Sequence, residues 1–233
     1  MLRQTYERDL QRLQDDVLAL GGMVEEAITA SVASLKRRDM EASERVIAQD
    51  QAINQKRFGI ERDVLVLIAT QQPMASDLRV LAAILAIISE LERIGDYAKG
   101  IARINLMIGP EPLVKPLVDI PRMAEKARDM LHRALVAFAE RDTDLARAIP
   151  EEDDEVDDLY NQVYRELITY IITDPRTLDQ ANYLMWAAHN LERAADRVTN
   201  ICERVVFTVT GEMIELDHHP EKDLADRFGA DTC

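Results

Sequence analysis

Two copies of one short motif, Leu-Glu-Arg-x-x-Asp, carry the side chains with the clearest potential for chemistry. The copies lie 100 residues apart and contain Glu92 with Asp96, and Glu192 with Asp196. Residues four apart share one face of a helix, so each pair can direct two carboxylates at a single cation. Oxygen ligands of this kind suit Mg, Ca, Mn or iron better than a thiolate-rich zinc site. The motif therefore predicts cation binding on two helix faces.

A second pair of oxygen-bearing residues in each half strengthens this prediction. Asp50 and Asn54 have the same spacing, and they correspond to Asp153 and Asp157 at an offset of 103 residues. With 43 acidic residues in 233, chance alone produces about eight acidic pairs at this spacing, so the weight of the prediction comes from the duplication. The candidate metal ligands are Asp50, Asn54, Glu92, Asp96, Asp153, Asp157, Glu192 and Asp196.

The two pairs of each half are expected at the same height. Residues 50–54 and 92–96 both lie about 20 residues from the turn at residues 71–73, and in an antiparallel hairpin equal distances from the turn place side chains next to each other. The alternative is that the acids form solvated helix faces, whose repulsion of about 0.2–0.5 kcal/mol per pair is relieved by Arg93 and Arg193. The residues alone leave both interpretations open.

Apolar residues recur at intervals of three and four along most of the chain, which predicts an all-α protein. Only 8 Gly, 8 Pro and 5% aromatic residues also favour helix over strand. Asp39 is expected to cap the second helix, and Asp174 followed by Pro175 to begin the sixth. The predicted helices are 5–38, 40–69, from between 73 and 77 to 107, 121–140, 142–173 and 174–209.

The two halves of the chain repeat one unit. Arg38-Asp39 matches Arg141-Asp142 at the offset of 103 residues, and the Leu-Glu-Arg motifs match at an offset of 100. Three amphipathic helices with short connections bury their apolar faces by packing antiparallel, so we expect two tandem antiparallel three-helix bundles. The expected organisation is a first bundle at 1–109, a Pro-rich linker at 110–119, a second bundle at 120–210 and a partly disordered tail at 211–233.

Composition limits the partners and the location of the protein. A formal net charge of -15 opposes binding to nucleic acid and favours cations or basic protein surfaces. Two cysteines, Cys202 and Cys233, provide no disulfide framework and fit a reducing cytoplasm. The N-terminal residues lack the apolar region of a signal peptide, and the longest apolar run, 80–88, is about half of what a membrane span needs. Any membrane contact is therefore expected to be peripheral or through a partner.

Common catalytic motifs are absent from the sequence. It contains no Gly-x-Ser-x-Gly, no Gly-rich phosphate loop and no Cys with an evident His partner. A ferritin-like di-iron enzyme needs a Glu-x-x-His on each of two helices, and the nearest match, from Asp129 to His132, stands alone. We interpret His132 and His189 as packed or capping residues. The protein is therefore expected not to be an enzyme.

Three stretches of the sequence resemble the PhoU family. They are LERIGDYAKGIA at 91–102, LERAADRVTNIC at 191–202 and VVFTVTGE at 205–212. The resemblance covers about residues 1–216 and includes the duplication and the Pro-rich linker. It implies a cytoplasmic adaptor that links the ATPase subunit of the phosphate ABC transporter to a PhoR-type sensor kinase and represses the phosphate-starvation response. A homodimer is a further expected assembly, and the cell membrane is reached only through partners.

The same resemblance implies multinuclear metal clusters on the paired Glu/Asp-x-x-x-Asp motifs, with iron or zinc; the oxygen ligands would also accept magnesium or manganese. The first bundle departs from the family pattern because Asn54 stands where the second bundle has Asp157. We therefore predict that the second bundle binds metal more tightly, and that Asp157→Asn and Asn54→Asp change metal affinity in opposite directions. A carboxylate-bridged di-metal enzyme and a metal-free helical docking module remain the alternatives.

Overall fold

The computed structural model describes residues 2–216 and is all-helical over that range, as predicted. Six long α-helices are joined by short connections, and one short helix and two 3-10 turns interrupt the second half. The elements are α1 Leu2–Arg37, α2 Met40–Gln71, α3 Ala75–Ile108, α4 Asp119–Glu140, α5 Thr143–Ala148, a 3-10 turn Ile149–Glu152, α6 Asp153–Thr173, a 3-10 turn Pro175–Thr177 and α7 Leu178–Thr210.

The duplication is visible in the backbone where the first helix of each half ends. Arg38 and Arg141, which are equivalent, both adopt left-handed φ angles, 57° and 56°. The residue after each is an N-cap aspartate: the Asp39 carboxylate accepts a hydrogen bond from the Ala42 amide, and Asp142 accepts bonds from two amides of its helix. Each satisfies amide groups that the first turn of a helix leaves without partners.

The second half differs from the prediction of one helix over residues 142–173. The chain there forms α5, a 3-10 turn and α6, with Pro150 inside the 3-10 turn. Proline has no backbone N–H and its ring crowds the preceding helical turn, so it ends α5 early. The equivalent residue in the first half is Ile47, which lies inside the continuous helix α2. The sixth predicted helix likewise starts as a 3-10 turn capped by Asp174 before α7 begins.

Each half is a three-helix bundle, with α1, α2 and α3 in the first bundle and α4, α6 and α7 in the second. The bundles meet along two antiparallel seams, α3 with α7 and α1 with α4. Along the α3/α7 seam, Glu90 lies beside Asn200, and Gly100 faces Asn190. These contacts are related by the internal repeat, which gives the molecule a pseudo-two-fold axis. One continuous apolar core runs through both bundles, so they form a single packed unit.

The Pro-rich connection between the bundles, residues 109–118, is held against the second bundle. The Gln180 side chain donates a hydrogen bond to the Pro112 carbonyl at 3.0 Å and accepts one from the Val114 amide. Lys115 pairs with Glu166 of α6 and is almost fully buried. The connection therefore fixes how the two bundles are joined.

After α7 the chain continues without helix to residue 216. Ile214 and Leu216 pack against the core, and the Leu216 amide donates to a Glu203 carboxylate oxygen at 3.2 Å. The rest of the predicted disordered tail, 217–233, lies outside the described residues.

Within the described range, α1 is the one helix whose length and apolar content could cross a membrane. Half of its most apolar window is buried, because α1 packs on α2, α3 and α4. A core helix of a bundle passes the same test, so this is weak evidence for a membrane span.

Candidate functional site

The first cluster comprises Asp50, Asn54, Glu92 and Asp96, and its centre contains a lysine. The Lys99 ammonium lies 2.5 Å from a carboxylate oxygen of Asp50 on α2 and 3.4 Å from one of Asp96 on its own helix, α3. Asp50 is buried, whereas the Asp96 side chain is 51% exposed. The hydrogen bond to Asp50 raises the pKa of Lys99 above its ordinary value, despite partial burial. This lysine is therefore charged at neutral pH and joins the two helices.

Asn54 also contacts Asp50, whose other carboxylate oxygen, Oδ1, is buried without a hydrogen-bond partner. Its side-chain amide donates hydrogen bonds to a carboxylate oxygen and to the main-chain carbonyl of Asp50, both at 3.1 Å. Glu92, half-buried, lies one turn before Asp96 on α3. The predicted meeting of residues 50 and 96 on neighbouring helices is thus seen, with a lysine between them.

The second cluster comprises Asp153, Asp157, Glu192 and Asp196, and negative charge accumulates at Glu192. Burial, followed by the nearby carboxylates of Asp196 and Asp157, raises the pKa of Glu192 to about 7, while Arg193 acts in the opposite direction. One carboxylate oxygen of Glu192 lies 2.8 Å from His189 Nδ1 but lacks a hydrogen bond of good geometry. The carboxylates of Asp157 and Asp196 therefore lie close enough to Glu192 to act on its charge.

Asp153 and Asp157 lie in the acidic run at residues 151–158, and different residues of this run lie near different helices. Glu152 forms ion pairs with Arg133 and, at 2.7 Å, with Lys126 of α4; Lys126 also lies 3.0 Å from Glu155. Asp153 is buried at the start of α6. Part of the acidic run is thus neutralised by α4, and another part lies near α7.

Position 199 of α7 corresponds to Lys99 and is a threonine. Thr199 is 1% exposed and its hydroxyl has no hydrogen-bond partner. It lies three residues after Asp196 and seven after Glu192, on the same helix face. The first cluster therefore has three carboxylates and one ammonium, and the second has four carboxylates and a buried hydroxyl.

The two clusters differ in how well they fit a metal ion. Among residues 2–216, no three Asp, Glu, His or Cys side chains converge into a ready-made metal site. The second cluster offers four carboxylates, with threonine in place of lysine at position 199. Its hard oxygen donors suit a cation, as does the raised pKa of Glu192, which reflects nearby negative charge. In the first cluster, the Lys99 ammonium already contacts Asp50 and Asp96. Metal binding at all eight residues stays a prediction.

Three residues of these clusters were missed or misread in the sequence. Lys99 and Thr199 could have been found by comparing the two motif copies beyond the aspartate, because they occupy equivalent positions. His189, interpreted as a packed or capping residue, is half-exposed; its ring lies beside that of Tyr160, and its Nδ1 is 2.8 Å from Glu192. Its distance from Glu192, three residues, is a typical spacing for side-chain contact on a helix.

Two grooves lie away from both clusters, along the α1/α4 seam. One groove of about 220 Å³ is lined by residues such as Val32 and Ala124, and another of about 380 Å³ by Gly22 and Leu135. Gly21 of α1 lies against α4, where a Cβ would overlap the Leu135 side chain.

Comparison with known proteins finds one family along nearly the whole chain. The PhoU domain model matches residues 17–104 and 120–205. A PhoU homolog of Aquifex aeolicus, named a phosphate-specific transport system accessory protein, is 37% identical over 92% of this chain and 97% of its own length. One from Caulobacter vibrioides, with the same name, is 37% identical over 95% of this chain and 96% of its own.

Two solved structures have the same fold. The phosphate transport system regulatory protein PhoU of Streptococcus pneumoniae superimposes with a TM-score of 0.83 at 32% identity, over 90% of this chain and 99% of that one. PhoU of Pseudomonas aeruginosa gives a TM-score of 0.84 at 34% identity, over 89% and 100%.

Proposed function

We propose that this chain, which belongs to the PhoU family, is a non-enzymatic regulator of phosphate uptake and signalling. In this proposal it is a cytoplasmic adaptor, peripheral to the membrane, that links the ATPase subunit of a phosphate ABC transporter to a PhoR-type sensor kinase. Through that link it represses the phosphate-starvation response when phosphate is plentiful.

The observation that carries this proposal is the match to relatives over almost their whole length. Those relatives are named accessory or regulatory proteins of phosphate transport, and both repeats of the family domain are present here. The likeness extends over both bundles and not only over the Leu-Glu-Arg motifs, which supports a shared role for the whole molecule.

Metal binding is a separate part of the proposal, and it is supported by the second cluster. Asp153, Asp157, Glu192 and Asp196 would hold the ion, which would be iron, zinc, magnesium or manganese. A bound cation would neutralise carboxylates that otherwise repel, and so would stiffen the contact between α6 and α7. This role is structural and needs no redox or hydrolytic step.

A pull-down tests the adaptor role. The tagged chain is mixed with the purified transporter ATPase subunit, and separately with the cytoplasmic part of the sensor kinase, with and without phosphate. We expect both partners to be retained and at least one interaction to change with phosphate. Failure to retain either partner under both conditions would contradict the adaptor role.

Metal analysis separates the proposal from its alternatives. Protein purified without chelator is assayed for bound metal and for oxidase turnover with oxygen. Bound metal without turnover supports the proposal, and turnover would instead favour a di-metal enzyme. Partner binding by a chain that never acquires metal would favour a plain docking module.

A further inference from the structure

We infer that the two grooves of the α1/α4 seam together form a docking site for one amphipathic helix of a partner protein, with basic residues at one end of that helix and acidic residues at the other. We call this surface, lined by residues 18–36 of α1 and 121–140 of α4, the seam groove. The inference rests on the proposed function, because an adaptor needs a surface that holds a partner. It adds where that surface lies and what chemistry it accepts.

The seam groove is continuous along both helices. Lining residues follow one another from Leu18 to Lys36 along α1 and from Pro121 to Glu140 along α4, never more than four positions apart. Residues at this spacing share one face of a helix, so the lining is unbroken between the volumes of about 380 and 220 Å³. At a rise of about 1.5 Å per residue the groove is about 27 Å long, which matches a helix of about 18 residues.

The base of the seam groove is apolar and leaves a position for another helix. Val32, Ala124 and Leu135 line it and are buried, while a Cβ at Gly22 would meet no other atom within 4 Å. In each bundle, a third helix packs against the other two and covers the apolar groove between them. No helix of the described range contacts both α1 and α4. One amphipathic helix would complete the same three-helix arrangement here.

The two ends of the seam groove carry opposite charge. Glu25 and Glu140 line one end. Lys36 and Arg128 line the other end together with Glu125, which leaves one net positive charge there. A partner helix with basic residues over the glutamates and acidic residues over Lys36 and Arg128 is therefore complementary to the groove in charge as well as in shape.

These end charges are available to a partner. Within residues 2–216, no ion pair forms at Lys36, Arg128 or Glu140. Glu25 lies 3.3 Å from His132 Nδ1, which is a cation only when protonated. A helix that brings opposite charges to both ends would therefore form ion pairs without first breaking an internal ion pair with Lys or Arg.

Binding of a designed peptide tests the inference. The probe is a synthetic peptide of about 18 residues with leucines at intervals of three and four, glutamates in its first third and lysines in its last third. The control peptide has the same composition and the same leucine positions, but its lysines and glutamates alternate along the whole length. Each labelled peptide is titrated with the full-length chain, and its affinity is read from fluorescence anisotropy at low and high salt.

Blocking the groove should abolish most of the binding. Gly22→Trp fills the open space between α1 and α4, so we expect it to weaken binding of the probe at least tenfold. Gly59→Trp is the matched control, because a Cβ at Gly59 also meets open space and α2 packs on α1 and α3, outside the seam. This control should bind the probe as the parent does. Thermal melting checks that both variants are folded.

Reversing one end of the groove should remove its preference for the probe. We expect the parent to bind the probe at least fivefold more tightly than the control peptide at low salt, and less selectively at high salt. In Lys36→Glu with Arg128→Glu, both peptides should bind with affinities within twofold of each other. Arg103→Glu with Arg147→Glu changes the net charge equally at exposed residues outside the groove, and should retain the preference.

Three results would overturn the inference: no saturable binding of the probe by the parent, equal affinity of the parent for the two peptides, or equal loss of binding in Gly22→Trp and Gly59→Trp. Failure of the adaptor role is distinguishable, because it appears as loss of partner retention in the pull-down while the peptide affinities follow the expected pattern.

The same chains test two other occupants of the groove. Sedimentation of the parent and of Gly22→Trp should give the same oligomeric state; a parent dimer that Gly22→Trp dissociates would assign the groove to a second copy. Replacing Leu224 and Phe228 by serine in the full-length chain should leave probe affinity unchanged. Tighter binding by that variant would assign the groove to the C-terminal residues of this chain. Either result would overturn the assignment to a partner protein.

Discussion

The two bundles repeat one unit, but the residues that surround its acidic motif differ between them. In the first bundle, Lys99 places its ammonium against the buried carboxylate of Asp50. In the second bundle the equivalent residue is Thr199, and burial, followed by the nearby carboxylates of Asp196 and Asp157, raises the pKa of Glu192 to about 7. One copy of the motif thus contacts a lysine of its own bundle, while the other copy is the metal site that we propose.

The α1/α4 seam shows a second asymmetry between the repeats. Leu135 approaches Gly21 from one side of the pseudo-two-fold axis. At the equivalent positions, the smaller Val32 lies in the groove with Ala124. The larger Leu135 therefore lies against glycine, whereas the smaller Val32 lies beside alanine.

The largest expected effect comes from removing the internal cation. Lys99→Met leaves the Asp50 carboxylate buried without its ammonium partner, and we expect a loss of about 2–4 kcal/mol in the free energy of unfolding. For a chain of this size that corresponds to about 5–12 °C in melting temperature. Chemical denaturation in chelator gives the value.

Two companion variants separate charge from packing at this site. Asp96→Asn removes a longer and half-exposed contact and should cost less than about 1 kcal/mol. Adding Asp50→Asn to Lys99→Met should restore much of the lost stability, since no buried charge then remains. If the single and double variants were equally unstable, Lys99 would stabilise by packing and not as a cation.

The next effect is the pH dependence of the metal-free second cluster. The folded pKa of Glu192, about 7, lies above the ordinary value of 4.5. The folded state therefore binds this proton more tightly than the unfolded state, and stability falls as pH rises between those values. Denaturation in chelator should show this fall in the parent chain and a smaller one in Glu192→Gln. Saturating metal should reduce the difference in pH dependence between the two chains. Parallel pH profiles for both chains in chelator would contradict the assignment of this pH dependence to Glu192.

A smaller effect is expected at the seam between the bundles. Gly22→Ala places a methyl group in open space and should add about 1 kcal/mol through helix propensity. Gly21→Ala gains the same propensity but must displace Leu135, so we expect it to be about 1–2 kcal/mol less stable than Gly22→Ala. Combining Gly21→Ala with Leu135→Val, which copies the pairing across the axis, should recover most of that difference. Denaturation midpoints of the three chains test this, and equal stability of the two single variants would exclude the clash.

The smallest effect concerns the buried hydroxyl of the second cluster. Thr199→Val preserves shape and removes a group without a hydrogen-bond partner, so metal-free stability should rise by up to about 1 kcal/mol. The control is Thr208→Val, whose buried hydroxyl donates to the Val205 carbonyl at 2.7 Å and whose loss should cost about 1 kcal/mol. A destabilised Thr199→Val chain would mean that its hydroxyl is satisfied in solution.

Local signals in the sequence predicted much of this architecture. Asp39 and Asp142 follow the ends of periodic apolar segments, and a cap depends only on neighbouring residues, so the helix boundaries there agree with the structure. Pro150 was equally visible, but apolar periodicity continued across it and concealed the break into α5 and α6. A local property that conflicts with a longer pattern is easily overlooked.

The acidic clusters were harder to predict because their chemistry depends on contacts between helices. The equal distance of the two pairs from the turn correctly predicted that Asp50 lies near Asp96. The role of Lys99 could not follow from that spacing, since a lysine side chain is long enough either to enter the cluster or to extend into solvent. Its role becomes clear only by comparison with Thr199, the buried residue at the equivalent position.

Anomalous diffraction tests the difference between the bundles most directly. Crystals of the parent chain grown with Mn²⁺ are measured so that scattering from manganese locates each ion. We predict density among Asp153, Asp157, Glu192 and Asp196, and the Lys99 ammonium in place of an ion beside Asp50. Manganese in both clusters, or in the first cluster alone, would contradict this account.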